Sequence, residues 1–278
     1  IDNTYTGRKS NVIDWWDNPL FEFIRHDVTE PIKLDVDRIW HLACPASPIH
    51  YQFNPIKTAK TSFLGTYNML GLAKRTEARL LLASSSEVYG NPEVHPQPES
   101  YKGSVNTIGI RSCYDEGKRI AETLCNDYMR INNTEIRIAR IFNTYGPRML
   151  PDDGRVITNF IMQSIEHKPL TIYGDGSQTR SFCYVDDLIE GLIKLMNSSY
   201  SSPINIGNPN EISISEVAKL ISYKFNNNNN FEYLEMPPDD PYRRKPVIDL
   251  AFNMLQWQPK INFIDGIEKT CKYFRDFV

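Results

Sequence analysis

The sequence predicts an α/β protein in which a doubly wound parallel sheet carries a smaller second α/β lobe. Two observations predict it. Over the first half of the 278 residues, short continuously apolar runs alternate with longer segments of helical spacing. That is the pattern of strands buried on both faces between crossover helices. The polar clusters of that half also fall directly after the apolar runs. Open parallel sheets bind their ligands there, beyond the carboxyl ends of the strands.

Phe21-Glu22-Phe23-Ile24 reads as a strand ending near His26-Asp27, and Arg38 to Ala43 as another ending at Cys44-Pro45. Asn54 to Arg75 has the apolar spacing of a long helix. Arg79-Leu80-Leu81-Leu82-Ala83 is a fully apolar strand leading into a loop that runs to Asn106. A second long helix is expected from about Ile110 to Ile131, then a strand from Ile136 to Ile141. Asp27, the Cys44 to Pro48 segment, Ser84-Ser85-Ser86-Glu87 and Asn143 each follow one of these strands. After about Pro147 prolines and arginines become denser and the elements shorter. The reading therefore gives a sheet domain over 1–147, rejoined by about 182–207, and a smaller lobe over 148–181 and 208–278. The asparagine run Asn226 to Asn230 reads as a surface loop between a helix and a strand.

Composition is that of an ordinary globular protein, 41% hydrophobic and 23% charged. A net charge of −3 gives no reason to expect nucleic acid as a partner. No apolar run approaches the roughly 18 residues of a membrane span. Five cysteines (Cys44, Cys113, Cys125, Cys183, Cys271) are odd in number, scattered and free of CxxC pairing. They argue against a disulfide framework or a metal site and suit a reducing, cytoplasmic compartment. The chain opens on Ile1-Asp2-Asn3 rather than on methionine. A preceding segment is therefore expected, and a membrane anchor in it is compatible with the rest.

The chemistry starts from SCYDEGKRIAE (112–122), where Tyr114 and Lys118 lie four residues apart and share a helix face. With 15 tyrosines and 31 basic residues, chance supplies such pairs, and Tyr5 with Lys9 is one in a Gly-containing turn. Spacing alone leaves a catalytic pair and a wet helix face equally open. The surrounding motifs decide. HLACPASP (41–48), LLLASSSEVYG (80–90), CYDEGKRIAET (113–123), RIFNTYGPRM (140–149), IYGDGSQTRSFCYVDDL (172–188) and RRKPVI (243–248) occur in this order. With DNTYTGRKSNV (2–12) and HDV (26–28), they resemble the extended short-chain dehydrogenase/reductases that act on nucleotide sugars. The decarboxylase branch, which acts on UDP-glucuronate, is the nearest match.

The resemblance implies a Rossmann-like fold with NAD as cofactor. Asp2 and Asn3 would contact the adenosine ribose, with Thr6 and Gly7 beside them. An acidic residue there accepts from the ribose hydroxyls and disfavours a 2′-phosphate. Asp27 and Val28 would flank the adenine, and Leu42, Ala43, Ala83, Tyr114 and Lys118 would line the path to the nicotinamide. The family's first strand and glycine-rich loop would precede Asp2 by about 20 residues. The implied reaction oxidises the sugar C4 hydroxyl, releases CO₂ from C5 and returns the hydride, so the cofactor is regenerated in each cycle. Tyr114 would be the base, assisted by Lys118, and Ser85 would hold the C4 oxygen. Glu87 and Arg244 would sit near the sugar carboxylate, with Arg243 a second choice for the carboxylate or a phosphate. Asn143, Arg155, Arg180 and Arg243 would meet the diphosphate, Tyr173 the uracil and Gln178 its ribose. A homodimer through a four-helix bundle of the two long helices is implied as well. A 4,6-dehydratase would place an acid where Ser86 stands, and a 4-epimerase has no use for Glu87 with Arg244. A non-catalytic binding relative is favoured only by the absent glycine loop.

Overall fold

The computed structural model describes residues 1–237 and 240–277. Its centre is a four-stranded parallel sheet. Strands β1 (Arg38–His41), β2 (Arg79–Ser85) and β3 (Ile136–Ile141) lie side by side, and the strand Ile204–Ile206 pairs with β3. The registers Ile39↔Leu80, Leu80↔Ile136 and Ala139↔Ile204 are all parallel. The apolar run of β2 divides between two cores because successive strand residues point to opposite faces. Leu80 and Leu82 pack with Met69, Leu70, Ala73, Ala121 and Cys125. Leu81 packs on the other side with Leu188, Leu192, Leu195, Met196 and Trp257. Burying each such leucine contributes roughly 1.5–3 kcal/mol. A third core lies among the helices Val156–Ile165, Ile214–Lys224 and Phe263–Phe277 and the strand Leu170–Tyr173.

One element differs from the sequence reading. Phe21 to Ile24 forms no strand; only a single bridge joins Asp2 to Arg25. A strand needs a continuous neighbour to accept its ladder, and here Asp2 alone supplies it, through Asp2 N to Ile24 O and His26 N to Asp2 O, each 3.2 Å. Phe21 and Phe23 pack instead against Trp16, at ring-centre distances of 6.4 and 5.7 Å.

A short α1 (Pro48–Phe53) precedes the first long helix, which runs through α2 (Pro55–Lys60), a π-helical turn over Thr61–Gly65 and α3 (Thr66–Thr76). Asn54 separates α1 from it because a residue before proline is driven from helical angles, and its side chain caps Lys57 N at 3.0 Å. The widened turn passes very close to its neighbours. A Cβ on Gly65 would lie 2.8 Å from Val28 Cγ2, and one on Gly117 of the second long helix would lie 2.9 Å from Ser62.

That second helix, α4 (Ser112–Asn132), follows the span expected from about Ile110 to Ile131, and Asn133 after it takes the left-handed conformation at φ 53°. The asparagine run forms the connection between the helix Ile214–Lys224 and the strand Phe231–Leu234. Five cysteines are free. Among the described residues no helix is long and apolar enough to cross a membrane.

Leu81→Ala should lower the unfolding free energy by about 3 kcal/mol, the usual cost of deleting a fully buried leucine. Urea denaturation monitored by circular dichroism measures it; a loss below about 1 kcal/mol would show that the face with Trp257 is loosely packed.

Candidate active site

Helix α4 docks on the end of β2 through one stripe at i, i+4 and i+8. Tyr114 is hydrogen-bonded with Ser85. Lys118 Nζ donates to Ala83 O at 2.7 Å, and Glu122 Oε1 accepts from Ser84 Oγ at 2.6 Å. The three helix residues are buried. Glu122 is held in turn by Arg140 on β3, whose Nε and Nη2 donate to its two oxygens at 3.0 and 2.7 Å. Beta-strand pairing continues through Ser84↔Arg140 and Ser85↔Ile141, so the first two serines of the SSSEVYG run sit on the strand itself. Ser85 also starts the turn that follows: its Oγ accepts from Glu87 N at 3.2 Å.

The Tyr114 phenol is pushed well above its ordinary value, first by burial and then by the neighbouring Cys44 thiol; the Ser85 hydrogen bond and the Arg155 charge work against this. Lys118 was expected to favour tyrosinate. Its ammonium lies 5.6 Å from the Tyr114 ring centre and is engaged by the Ala83 carbonyl. Burial prevails, and the chain by itself holds Tyr114 protonated. The other Tyr/Lys pair behaves as a chance spacing: Tyr5 is exposed, and Lys57 rather than Lys9 lies over its ring.

A cluster of arginines and acids stands beyond Ser85. Glu87 Oε2 accepts from Arg111 Nη2 at 2.9 Å and from Arg244 Nη2 at 3.0 Å. Arg244 is 1% exposed and also donates to Ser86 O at 2.6 Å and Gly90 O at 3.0 Å. Asp240 bridges Arg180, at 2.7 Å, and Arg111, at 3.3 Å. Burial alone would raise the Glu87 pKa, but Arg244 and Arg111 hold it below the usual carboxylate range. Arg243 is exposed on the opposite side of the same strand and stands outside the cluster.

Of the remaining expected residues, Asn143 is half-buried at the end of β3. Arg155 pairs with Asp153, its Nη2 donating to Oδ1 at 2.8 Å, and its charge reaches Tyr114. Gln178 is buried and donates to Tyr173 O at 2.6 Å, bracing a tyrosine ring that is 41% exposed. Asn3 Nδ2 and Lys57 Nζ donate to Asp27 Oδ2 at 2.9 and 2.6 Å. Burial of Asp27 is outweighed by these bonds and those of Thr29, so its carboxylate lies far below its ordinary range. Val28 is buried and accepts from Asn68 at its carbonyl. Asp2 and Leu42 are exposed, while Ala43, Thr6 and Gly7 are half-buried.

Four site residues escaped the sequence reading. Tyr51 of α1 stacks on Tyr114 with ring centres 5.2 Å apart and an 11° interplanar angle, and Arg111 lies 6.0 Å from the Tyr51 ring centre. Asp240 and Asp115 complete the set. Arg111 and Asp115 flank Tyr114 on α4, so their helical spacing offered a signal; Tyr51 and Asp240 arrive only through the tertiary fold. Buried polar atoms without a partner collect here: Tyr51 Oη, Arg111 Nε, Asp115 Oδ1, Asn143 Oδ1 and Arg244 Nε. Buried groups are ordinarily satisfied, so such a concentration is what a polar ligand would complete.

The doubly wound sheet with its second lobe has the fold of the extended short-chain dehydrogenase/reductases. Solved relatives share it: the UDP-glucose 4-epimerase of Thermotoga maritima superposes with a TM-score of 0.90 at 22% identity, covering 99% of this chain and 90% of that one. A UDP-glucuronic acid 4-epimerase of Bacillus cereus, solved with UDP-glucuronic acid and NAD, gives 0.87 at 28% identity over 97% of this chain and 86% of that one. The chain belongs to the GDP-mannose 4,6 dehydratase family, whose model matches residues 2–270. It is 58% identical over 278 residues to UDP-glucuronic acid decarboxylase 2 of Arabidopsis thaliana, covering all of this chain and 62% of that protein. It is 57% identical over 274 residues to decarboxylase 3 of the same plant, covering 99% of this chain and 80% of that protein. The chain thus spans less than two thirds of the length of some of these relatives.

Arg140→Gln should cost about 3–5 kcal/mol, because it leaves Glu122 buried without its counter-charge. Arg130→Gln, which removes the exposed pair with Asp127, should cost less than about 1 kcal/mol. Equal losses in parallel urea titrations would contradict the assigned burial.

Proposed function

We propose that the protein catalyses the NAD-dependent decarboxylation of UDP-glucuronate to UDP-xylose through a UDP-4-keto sugar. The observation that carries this reading is the Glu87–Arg111–Arg244 cluster placed directly beyond the Tyr114–Ser85 pair. It brings cationic groups for a sugar carboxylate next to groups suited to a sugar hydroxyl. The similarity to the plant decarboxylases supports it over the full chain.

The proposal assigns 1–147 with about 182–207 to NAD and 148–181 with 208–278 to the nucleotide sugar. Residues present fit the cofactor. The Asp2 carboxylate is exposed beside the Gly7 backbone, so tightly that a Cβ on Gly7 would lie 2.9 Å from Asp2 Oδ2. That arrangement suits a ribose diol accepting no side chain between, with Asn3, Asp27 and Val28 around the base. When bound, NAD supplies a reversible hydride acceptor for the sugar C4 and a positive charge in the pocket.

The chain's own residues supply the rest. Ser85 orients the C4 oxygen, and Tyr114 exchanges its proton. Lys118, tied to Ala83 O, fixes the height of the cofactor path above β2. Removing the C4 hydrogen turns the sugar acid into a β-keto acid, whose C5–carboxyl electrons have a carbonyl to enter. Arg111 and Arg244 hold the carboxylate; Arg244 offers its unpartnered Nε, while its terminal nitrogens donate to Ser86 O, Gly90 O and Glu87. Asn143, Arg155 and Arg180 serve the diphosphate, Tyr173 and Gln178 the uridine.

The proposal extends to a homodimer in the cytoplasm. Exposed Ile56, Phe63, Tyr67, Ile120 and Ile131 on the helices that would form the bundle support the dimer; five free cysteines support a reducing compartment. In the full-length protein supplied with NAD and UDP-glucuronate, CO₂ release should match UDP-xylose formation. Tyr114→Phe should lower kcat at least about 100-fold while leaving UDP affinity unchanged. Tight NAD binding without CO₂ release would favour an epimerase or dehydratase, and surviving turnover in Tyr114→Phe would remove the assigned base.

A further inference from the structure

Around Glu87 the charges come close to cancelling. Arg111, Arg180 and Arg244 bring three positive charges; Glu87 and Asp240, each bonded to two of them, bring two negative ones. Among the described residues Asp115 is the third acid. It is 7% exposed, its Oδ1 is buried without a partner, and none of the described ion pairs of the cluster includes it. It lies in the first turn of α4, where Arg111 O accepts its backbone N–H at 3.1 Å.

If all three acids were ionised, a substrate carboxylate would enter a pocket with no cationic excess. A buried uncompensated charge is costly, and the pocket avoids it by protonating an acid. Glu87 and Asp240 are each held ionised by two guanidinium donors. Asp115 has no such donor. We propose that Asp115 takes up a proton when a sugar carboxylate enters the arginine cluster, acting as a proton-positioning residue beside Tyr114. This rests on the UDP-glucuronate reading given above.

The stoichiometry gives that proton a use. Decarboxylation converts R–COO⁻ and H⁺ into R–H and CO₂. The C5–carboxyl bond breaks, its electron pair enters the C4 carbonyl as an enolate, and C5 then needs a proton. One taken up at binding is already inside the closed site, and its departure returns Asp115 to the carboxylate. Groups facing Asp115 set its balance. Burial, then Glu87 on the turn after β2, raise its pKa to about 7; Arg111 and Arg244 pull it down, and Glu116 adds a small upward push. Tyr51 of α1 faces it from the remaining side. The free site at pH 8 therefore holds Asp115 mostly ionised, ready to accept.

The test is titration calorimetry of the full-length, NAD-loaded protein at pH 8 in buffers of different ionisation enthalpy. To prevent turnover it uses the Tyr114→Phe background. UDP-glucuronate should bind with uptake of about half a proton or more beyond that seen with UDP-glucose, which has no carboxylate. Asp115→Asn should abolish the extra uptake, with UDP affinity kept within about twofold to show an intact fold. The same extra uptake in Asp115→Asn, or no extra uptake in the background protein alone, overturns the proposal. Heat of UDP-glucuronate binding reports separately on the substrate reading: binding without extra uptake refutes only the role of Asp115.

Discussion

The contact on which the site depends is the buried ion pair between Glu122 of α4 and Arg140 of β3. Both side chains are about nine-tenths buried. Taking two charges out of water is expensive, and the bidentate geometry offsets that cost together with further hydrogen bonds to both partners. Glu122 accepts from Ser84, and Arg140 Nη1 donates to Tyr89 Oη at 3.1 Å and to Glu99 O at 3.0 Å. Tyr89 then donates to Asn205 on the last strand of the sheet at 2.7 Å. Helix, three strands and the loop after β2 are therefore fixed relative to one another by one polar network that an apolar core could not orient.

Its effect is felt at four consecutive residues. Ser84 is held by Glu122, Ser85 by Tyr114, the Ser86 carbonyl by Arg244, and Glu87 by Arg111 with Arg244. They are engaged from two sides, by α4 with the Arg111 that precedes it and by the strand Arg243–Arg244, so the strand end has little freedom to rotate. The second network repeats the logic of the first, with one difference. Around Glu122 the charges are closed off by protein; around Glu87 several donor and acceptor atoms remain without partners. The first network builds the site and the second leaves room for a ligand.

How much of this was legible in the sequence follows from the range of each interaction. The strands β1 to β3 and helix α4 were legible, since their signals are local: apolar runs and helical spacing. Tyr114 and Ser85 were singled out by the order of the motifs around them and the resemblance those carry, since spacing alone left a wet helix face equally open. The order of Arg243 and Arg244 was not, since two neighbouring arginines give no clue to which face of a short strand turns inward. Phe21 to Ile24 looked like a strand because apolar alternation reports burial, not the presence of a hydrogen-bonding neighbour. Tyr51 and Asp240 lie 63 and 126 positions from Tyr114 in the chain, and no periodicity reaches that far.

The protonation of Tyr114 is where local reading and tertiary structure part most clearly. A lysine one turn away argues for a lowered phenol pKa, and in water that argument would stand. In the folded chain the Lys118 ammonium is bound to the Ala83 carbonyl, Tyr51 covers one face of the Tyr114 ring, and solvent is excluded. Removing water penalises the phenolate more than a distant cation helps it. The phenol therefore rests protonated beside Ser85. A low dielectric works in both directions, because a positive charge delivered into the same pocket is scarcely screened. The burial that raises the Tyr114 pKa thus also makes the tyrosine sensitive to the charge of whatever binds beside it.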